Sequence, residues 1–187
     1  MENSSLILDN DEMTFCVYGL GKTGISVVNY FNRKKFTNYY TWDDNKTLRS
    51  NHGFKFSKDK GEKNFAQYLD SSDYIILSPG INLYKAKLKK KLVKNKKKII
   101  TDLDLFYLCN PKIKTIIITG TNGKSSTCKI LEHALRKNNI NVRLGGNIGK
   151  PVLDLNLKDN PLLIIEASSF QLAHSKFIEP NKAVILN

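Results

Sequence analysis

Ile116-Ile117-Ile118-Thr119-Gly120-Thr121-Asn122-Gly123-Lys124-Ser125-Ser126 is the stretch from which the fold can be read. An apolar run breaks into a glycine-bearing turn that ends on Lys-Ser, the pattern of a strand feeding a phosphate-binding loop. Glycines let backbone N–H groups approach phosphate oxygens, Lys124 can neutralise charge on the β- and γ-phosphates, and the Ser125 hydroxyl can ligate Mg²⁺. Helix formers run from Thr127 to Lys137, so a bound anion would lie at a helix N-terminus. The loop departs from G-x-x-x-x-G-K-[ST] at one place, where Ile118 stands for the first glycine.

The residues downstream extend the pattern. A strand is expected near Asn141 to Leu144, followed by the glycine-rich turn Gly145-Gly146-Asn147-Ile148-Gly149. Leu162-Leu163-Ile164-Ile165 reads as a buried strand that delivers Glu166 to its carboxyl end, and Ala183-Val184-Ile185-Leu186 as a further strand. Ligands in open α/β sheets lie beyond the carboxyl ends of the strands, so Lys124, Asn147 and Glu166 are expected to converge. Glu166 stands where a phosphate-loop enzyme keeps its acidic metal ligand, and a carboxylate there without a partner would carry a desolvation cost.

A first block precedes this one. Thr14-Phe15-Cys16-Val17-Tyr18 runs into Gly19-Leu20-Gly21-Lys22-Thr23-Gly24, with a helix expected from Ile25 to Lys35. Tyr39-Tyr40-Thr41-Trp42 ends on Asp43 and Asp44, Tyr74-Ile75-Ile76-Leu77 ends on Ser78-Pro79-Gly80, and Ile99-Ile100 forms a short strand. Short apolar strands alternating with helical patterns imply an α/β chain with parallel sheets. Asn110-Pro111 marks the expected boundary between a Rossmann-like domain over 1–110 and a phosphate-loop domain over 111–187, which the resemblance described below implies to be an incomplete central domain. The Gly19-x-Gly21-x-x-Gly24 turn, with Asp43 about 20 residues on, satisfies a dinucleotide fingerprint that would by itself suggest NAD. A second phosphate loop in the same chain lets that turn hold another nucleotide by its diphosphate. A nicotinamide-dependent dehydrogenase and a noncatalytic nucleotide-binding module stand as the alternatives.

Composition narrows the classes. The net charge is +13, and nine lysines lie between Lys85 and Lys98. Leu88 and Leu92, four apart, suit a helix with a thin apolar stripe and a solvated face. Without aromatic residues for stacking on bases, the segment is not read as a nucleic-acid surface. Cys16, Cys109 and Cys128 are scattered, and His52, His133 and His174 are isolated, so neither redox nor metal chemistry is read from them. No apolar run is long enough for a membrane span and Met1 to Asn10 lacks a signal pattern, which leads to the expectation of a cytoplasmic protein. Ser168-Ser169-Phe170-Gln171 lacks G-x-S-x-G and reads as polar substrate contacts.

Thr119 to Ser126, Gly146-Asn147-Ile148-Gly149 and Glu166-Ala167-Ser168-Ser169-Phe170-Gln171-Leu172 together resemble the Mur ligases, and within them the D-glutamate-adding branch. The Gly-Leu-Gly-Lys-Thr-Gly turn and Ser78-Pro79-Gly80-Ile81 fit the same family's UDP-binding domain. The resemblance implies ATP and Mg²⁺ as cofactors and UDP-N-acetylmuramoyl-L-alanine and D-glutamate as substrates, while no nucleic-acid partner is expected from the composition and the oligomeric state is left open. It places Gly120, Thr121, Asn122, Gly123, Lys124, Ser125 and Ser126 on the ATP phosphates, with Lys124 and Glu166 catalytic and Ser125 and Glu166 on the metal. Asn147, Ser168 and Gln171 would meet the muramoyl-alanine part, and Lys22, Thr23, Asp43, Asp44, Ser78, Gly80 and Ile81 the UDP part. Asp44 departs from the small or basic residue common there. The family's second-metal histidine, its carbamylated lysine and its glutamate-binding domain would follow Asn187, so the expectation is an N-terminal portion, inactive alone.

Overall fold

The computed structural model describes residues 12–51 and 61–187, so His52 lies outside the described residues. The chain divides into two compact units between Asp102 and Leu103, eight residues before the boundary read at Asn110-Pro111.

The first unit runs β1 (Phe15–Tyr18), α1 (Lys22–Arg33), β2 (Tyr39–Trp42), α2 (Lys46–Asn51), α3 (Glu62–Ser71), β3 (Tyr74–Leu77), α4 (Lys89–Lys94) and β4 (Ile99–Ile100). Its sheet has the order β2-β1-β3-β4 with every pairing parallel. Sheets of this kind are covered on both faces, which is why β1 and β3 read as unbroken apolar or aromatic runs. Helix α1 buries Gly24, Val27, Val28 and Phe31, the spacing of one helical face. Phe31 stacks among Phe15, Phe36 and Tyr39 at ring-centroid distances of 5.0 to 5.3 Å. Burying such a ring stabilises by about 1.5–3 kcal/mol.

The lysine-rich segment is not the single solvated helix expected. α4 spans Lys89–Lys94 only and is followed by a 3₁₀ turn at Lys96–Lys98. Lys91 pairs with Asp70, Lys94 sits 3.5 Å from the same carboxylate, and Asn95 Nδ2 donates to it at 2.8 Å. Lys98 Nζ donates to the carbonyls of Asp70 (2.7 Å) and Ser72 (2.8 Å). Those carbonyls close α3, where a helix leaves acceptors unpaired and its dipole favours a cation. Part of the basic run therefore serves the fold.

The second unit begins in α5 (Asp102–Cys109) and continues with β5 (Thr115–Thr119), α6 (Lys124–Lys137), β6 (Val142–Gly146), β7 (Leu162–Glu166), α7 (Ser169–His174) and β8 (Lys182–Ile185). Its order is β6-β7-β5-β8, again all parallel. Ile118, Cys128, Val142 and Ile164 form the buried centre, with Leu131, Leu135 and Leu186 packed against it. Two expected boundaries move. The helix after the phosphate loop starts at Lys124 and not Thr127, and Gly145-Gly146 extend β6, where they pair with Ile165 and Glu166. A Cβ on Gly146 would approach the Glu166 carbonyl to 2.4 Å, so the strand needs glycine there to lie beside β7. β8 is exposed along its length, with Ile185 at 78%.

Candidate functional site

In the second unit, the carboxyl ends of β5, β6 and β7 bring Ser125, Asn147 and Glu166 together. Ser125 Oγ donates to Glu166 Oε2 at 2.7 Å, and Asn147 Nδ2 donates to Glu166 Oε1 at 3.1 Å. Asn147 N–H also donates to the Glu166 carbonyl at 2.8 Å. Glu166 is 3% exposed, and these two side-chain partners are neutral donors that hold the carboxylate without cancelling its charge. Burial, and behind it the charge of Glu166, pushes the Cys128 thiol up to about 11.

The loop between β5 and α6 is shaped by its glycines. Gly120 has φ +144° and Gly123 φ +80°, conformations that side chains resist. Gly123 caps α6 without a side-chain partner, and among the described residues the N–H groups of Gly123, Lys124, Ser125 and Ser126 have no acceptor. Donors left unpaired at the start of a 14-residue helix favour negative charge nearby. Lys124 Nζ folds over the loop and donates to the carbonyls of Gly120 (2.7 Å) and Thr121 (3.1 Å). A cleft of about 530 Å³ opens beside them, lined by Lys124, Asn147, Ser168, Leu172, Ile185 and Asn187 among others.

The expected site residues fall in different positions around this cleft. Ser125 and Asn147 are hydrogen-bonded to Glu166, and Lys124 and Asn147 share the lining of the cleft. Ser168 lines the cleft, while Gln171 is 1% exposed and completes a capping box. Its Oε1 accepts from Ser168 N–H (3.1 Å) and Oγ (3.2 Å), and its own N–H donates to Ser168 Oγ (3.2 Å). Sequence reading missed Asn187, whose Oδ1 accepts from the N–H groups of Thr121 (3.0 Å) and Asn122 (3.2 Å). The available signal was a polar residue directly after an apolar strand.

In the first unit the glycine turn after β1 is held by the residues expected near a nucleotide. Asp43 Oδ2 accepts from Leu20 N–H (2.6 Å) and Oδ1 from Asn45 N–H (2.7 Å), with the side chain 5% exposed. Ser78 Oγ donates to the Gly19 carbonyl at 2.8 Å. Gly19 has φ +100°, and a Cβ there would come within 2.7 Å of Ile81 and Ser78. Asp44 accepts from Tyr18 Oη (2.6 Å), Trp42 Nε1 (3.0 Å) and Lys87 N–H (2.9 Å). Burial alone would raise the Asp44 carboxyl, but these donors outweigh it and hold it below the ordinary carboxylate value. Lys22 and Thr23 begin α1 at the mouth of the turn, and Gly80 is exposed beside Ile81.

Two parallel sheets, each with a glycine turn at a strand's carboxyl end and one facing a buried glutamate, define a parallel-sheet α/β protein. Residues 13–101 of the chain match the model of the Mur ligase MurD-like N-terminal domain. It is similar to UDP-N-acetylmuramoylalanine--D-glutamate ligases from Buchnera aphidicola subsp. Schizaphis graminum (37% identity over 91% of this chain and 38% of that protein) and Wolbachia pipientis wMel (33%, 91% and 33%). The protein of that name from Rickettsia prowazekii is 36% identical over 91% of this chain. The chain spans 38% of the length of the Buchnera and Rickettsia proteins and 33% of the Wolbachia one. Among solved structures, UDP-N-acetylmuramate:L-alanyl-gamma-D-glutamyl-meso-diaminopimelate ligase from Neisseria meningitides aligns with a TM-score of 0.48 at 13% identity, over 92% of this chain and 60% of that one. No helix among the described residues is long and apolar enough to cross a membrane.

Proposed function

We propose that this chain supplies UDP-substrate and ATP-binding parts of a ligase that joins D-glutamate to UDP-N-acetylmuramoyl-L-alanine. The observation that carries the reading is the set Ser125, Asn147 and Glu166, joined by hydrogen bonds beside N–H groups of Gly123 to Ser126 that have no acceptor among the described residues. In this reading an alanyl carboxylate oxygen attacks the γ-phosphorus, the bond to ADP breaks, and an acyl phosphate forms. The glutamate amine then attacks the acyl carbon, loses a proton and expels phosphate. Lys124 would leave the Gly120 and Thr121 carbonyls to meet charge that develops on the transferring group.

Magnesium fits the donors present, since it takes one or two carboxylate or hydroxyl oxygens from protein and fills its remaining positions with water and phosphate. Ser125 Oγ and Glu166 Oε2 would hold it, and when bound it would neutralise phosphate charge. Asn147 and Ser168 would face the muramoyl-alanine part, and Gln171 would act by orienting Ser168.

In the first unit Lys22, Thr23, Gly80 and Ile81 would surround the UDP part, while Asp43, Asp44 and Ser78 shape the turn that receives it. Asp43 accepts from two backbone N–H groups and so shapes the turn in the dehydrogenase alternative as well, and the choice of nucleotide rests on measurement. Calorimetric titration of the chain with UDP-N-acetylmuramoyl-L-alanine, Mg·ATP and NAD tests the proposal. Binding of the first two, with Lys124→Ala weakening ATP at least about tenfold, is expected from loss of a charge-assisted contact. Tighter binding of NAD than of the UDP compound would overturn it.

A further inference from the structure

Asn187 lies outside the motifs that define the phosphate loop, yet it holds that loop from the neighbouring strand. Its single Oδ1 accepts from two consecutive N–H groups, Thr121 at 3.0 Å and Asn122 at 3.2 Å. The residue before it is seated as well: Leu186 N–H donates to the Thr119 carbonyl at 3.0 Å, and its side chain fills the space a Cβ on Gly120 would take, 3.0 Å away. At the other end of β8, Asn181 Oδ1 accepts from Thr115 N–H at 2.8 Å. Asparagine amides thus fasten β8 to both ends of β5, one of them on the loop.

The loop donors consequently fall into two sets. Thr121 and Asn122 point their N–H groups to Asn187, while those of Gly123, Lys124, Ser125 and Ser126 have no acceptor among the described residues. We infer that Asn187 is a positioning residue of the phosphate loop, fixing Thr121-Asn122 so that the next four N–H groups converge on one phosphate. The inference rests on the nucleotide reading above. It gives Asn187 no contact with the reacting atoms. A neutral acceptor suits the task, because a carboxylate would satisfy the same donors and set a negative charge beside the phosphate.

Amide hydrogen exchange of the nucleotide-free chain and calorimetry with Mg·ATP and with adenosine test the two halves separately. Asn187→Ala should speed exchange at Thr121 and Asn122 about tenfold and weaken Mg·ATP by a similar factor, the scale of hydrogen bonds lost from the loop, with adenosine affinity unchanged. Asn187→Asp should keep the slow exchange and still lose ATP affinity. Unchanged exchange in Asn187→Ala overturns the inference. So does unchanged ATP affinity, and so does tighter ATP binding, which would make the amide a plug competing with phosphate. A wild-type chain with slow exchange at both amides but no binding of Mg·ATP overturns the nucleotide reading and the inference with it.

Discussion

Ser125 Oγ donates to Glu166 Oε2 at 2.7 Å across 41 residues of sequence, joining the first turn of α6 to the last residue of β7. Under the proposed function, the bond would order a hydroxyl and a carboxylate for a divalent cation before any nucleotide arrives. Glu166→Gln preserves the shape and removes the charge. It should abolish the magnesium-dependent part of ATP affinity: the wild type binds ATP at least about tenfold tighter with Mg²⁺ than with EDTA, and the variant binds equally in both. The factor follows from losing a charged oxygen ligand in a site with few protein donors. A full magnesium effect in Glu166→Gln would remove the carboxylate from the metal site.

Gly24 allows α1 to start against the turn after β1. A Cβ at this position would lie 1.8 Å from the Gly19 carbonyl oxygen, a backbone atom that cannot swing aside. Gly24→Ala should therefore destabilise the first unit by about 3 kcal/mol or more, the upper range for overpacking, and abolish uridine-nucleotide binding. Urea unfolding followed by circular dichroism measures the first effect. A variant as stable as the wild type would mean that α1 can slide without cost.

Asp70 ties Lys91, Lys94 and Asn95 to the end of α3, and its hydrogen bond from Lys91, followed by that from Asn95, lowers its carboxyl to about 2. A carboxyl lower in the folded chain than in the unfolded one stabilises above the unfolded value, near 3.9, and loses that contribution as the pH falls toward 2. The stability difference between wild type and Asp70→Asn should be constant above about pH 5 and vanish between about pH 4 and 2. Because the carboxylate is partly exposed, the difference should also shrink in high salt. A difference independent of pH across that window would show that Asp70 acts through packing alone.

Burial pushes the Cys16 thiol up to about 12 and Cys128 to about 11, leaving Cys109 as the partly accessible one. Thiolate is the reactive form. Ellman's reagent at pH 8 should modify at most one of the three cysteines rapidly in the folded chain and all three in guanidinium. Rapid reaction at Cys128 would mean that α6 opens beneath the phosphate loop.

Both sheets were legible because their strands are short apolar runs whose pattern does not depend on distant residues. Phe15 to Tyr18 and Leu162 to Ile165 pack between covering helices, and such burial admits few polar side chains. The lysine run misled for the complementary reason. Nothing local in Lys89 to Lys98 records that Asp70 and the end of α3 lie against it, so a structural set of cations read as a solvated face. Gln171 is similar, since a polar residue in a site motif looks the same whether it faces ligand or caps a helix.

The sequence by itself determined the glycines, the Lys124-Ser125 pair and a glutamate at a strand end, because phosphate chemistry demands those residue types at fixed local spacing. Only the tertiary structure decided which donors meet which acceptors. Glu166 takes Ser125 and Asn147 from two other elements, and Asn187 reaches Thr121 and Asn122 across 66 and 65 residues. Parallel pairing in the order β6-β7-β5-β8 sets strand ends from distant sequence side by side, and no local pattern carries the register that aligns them.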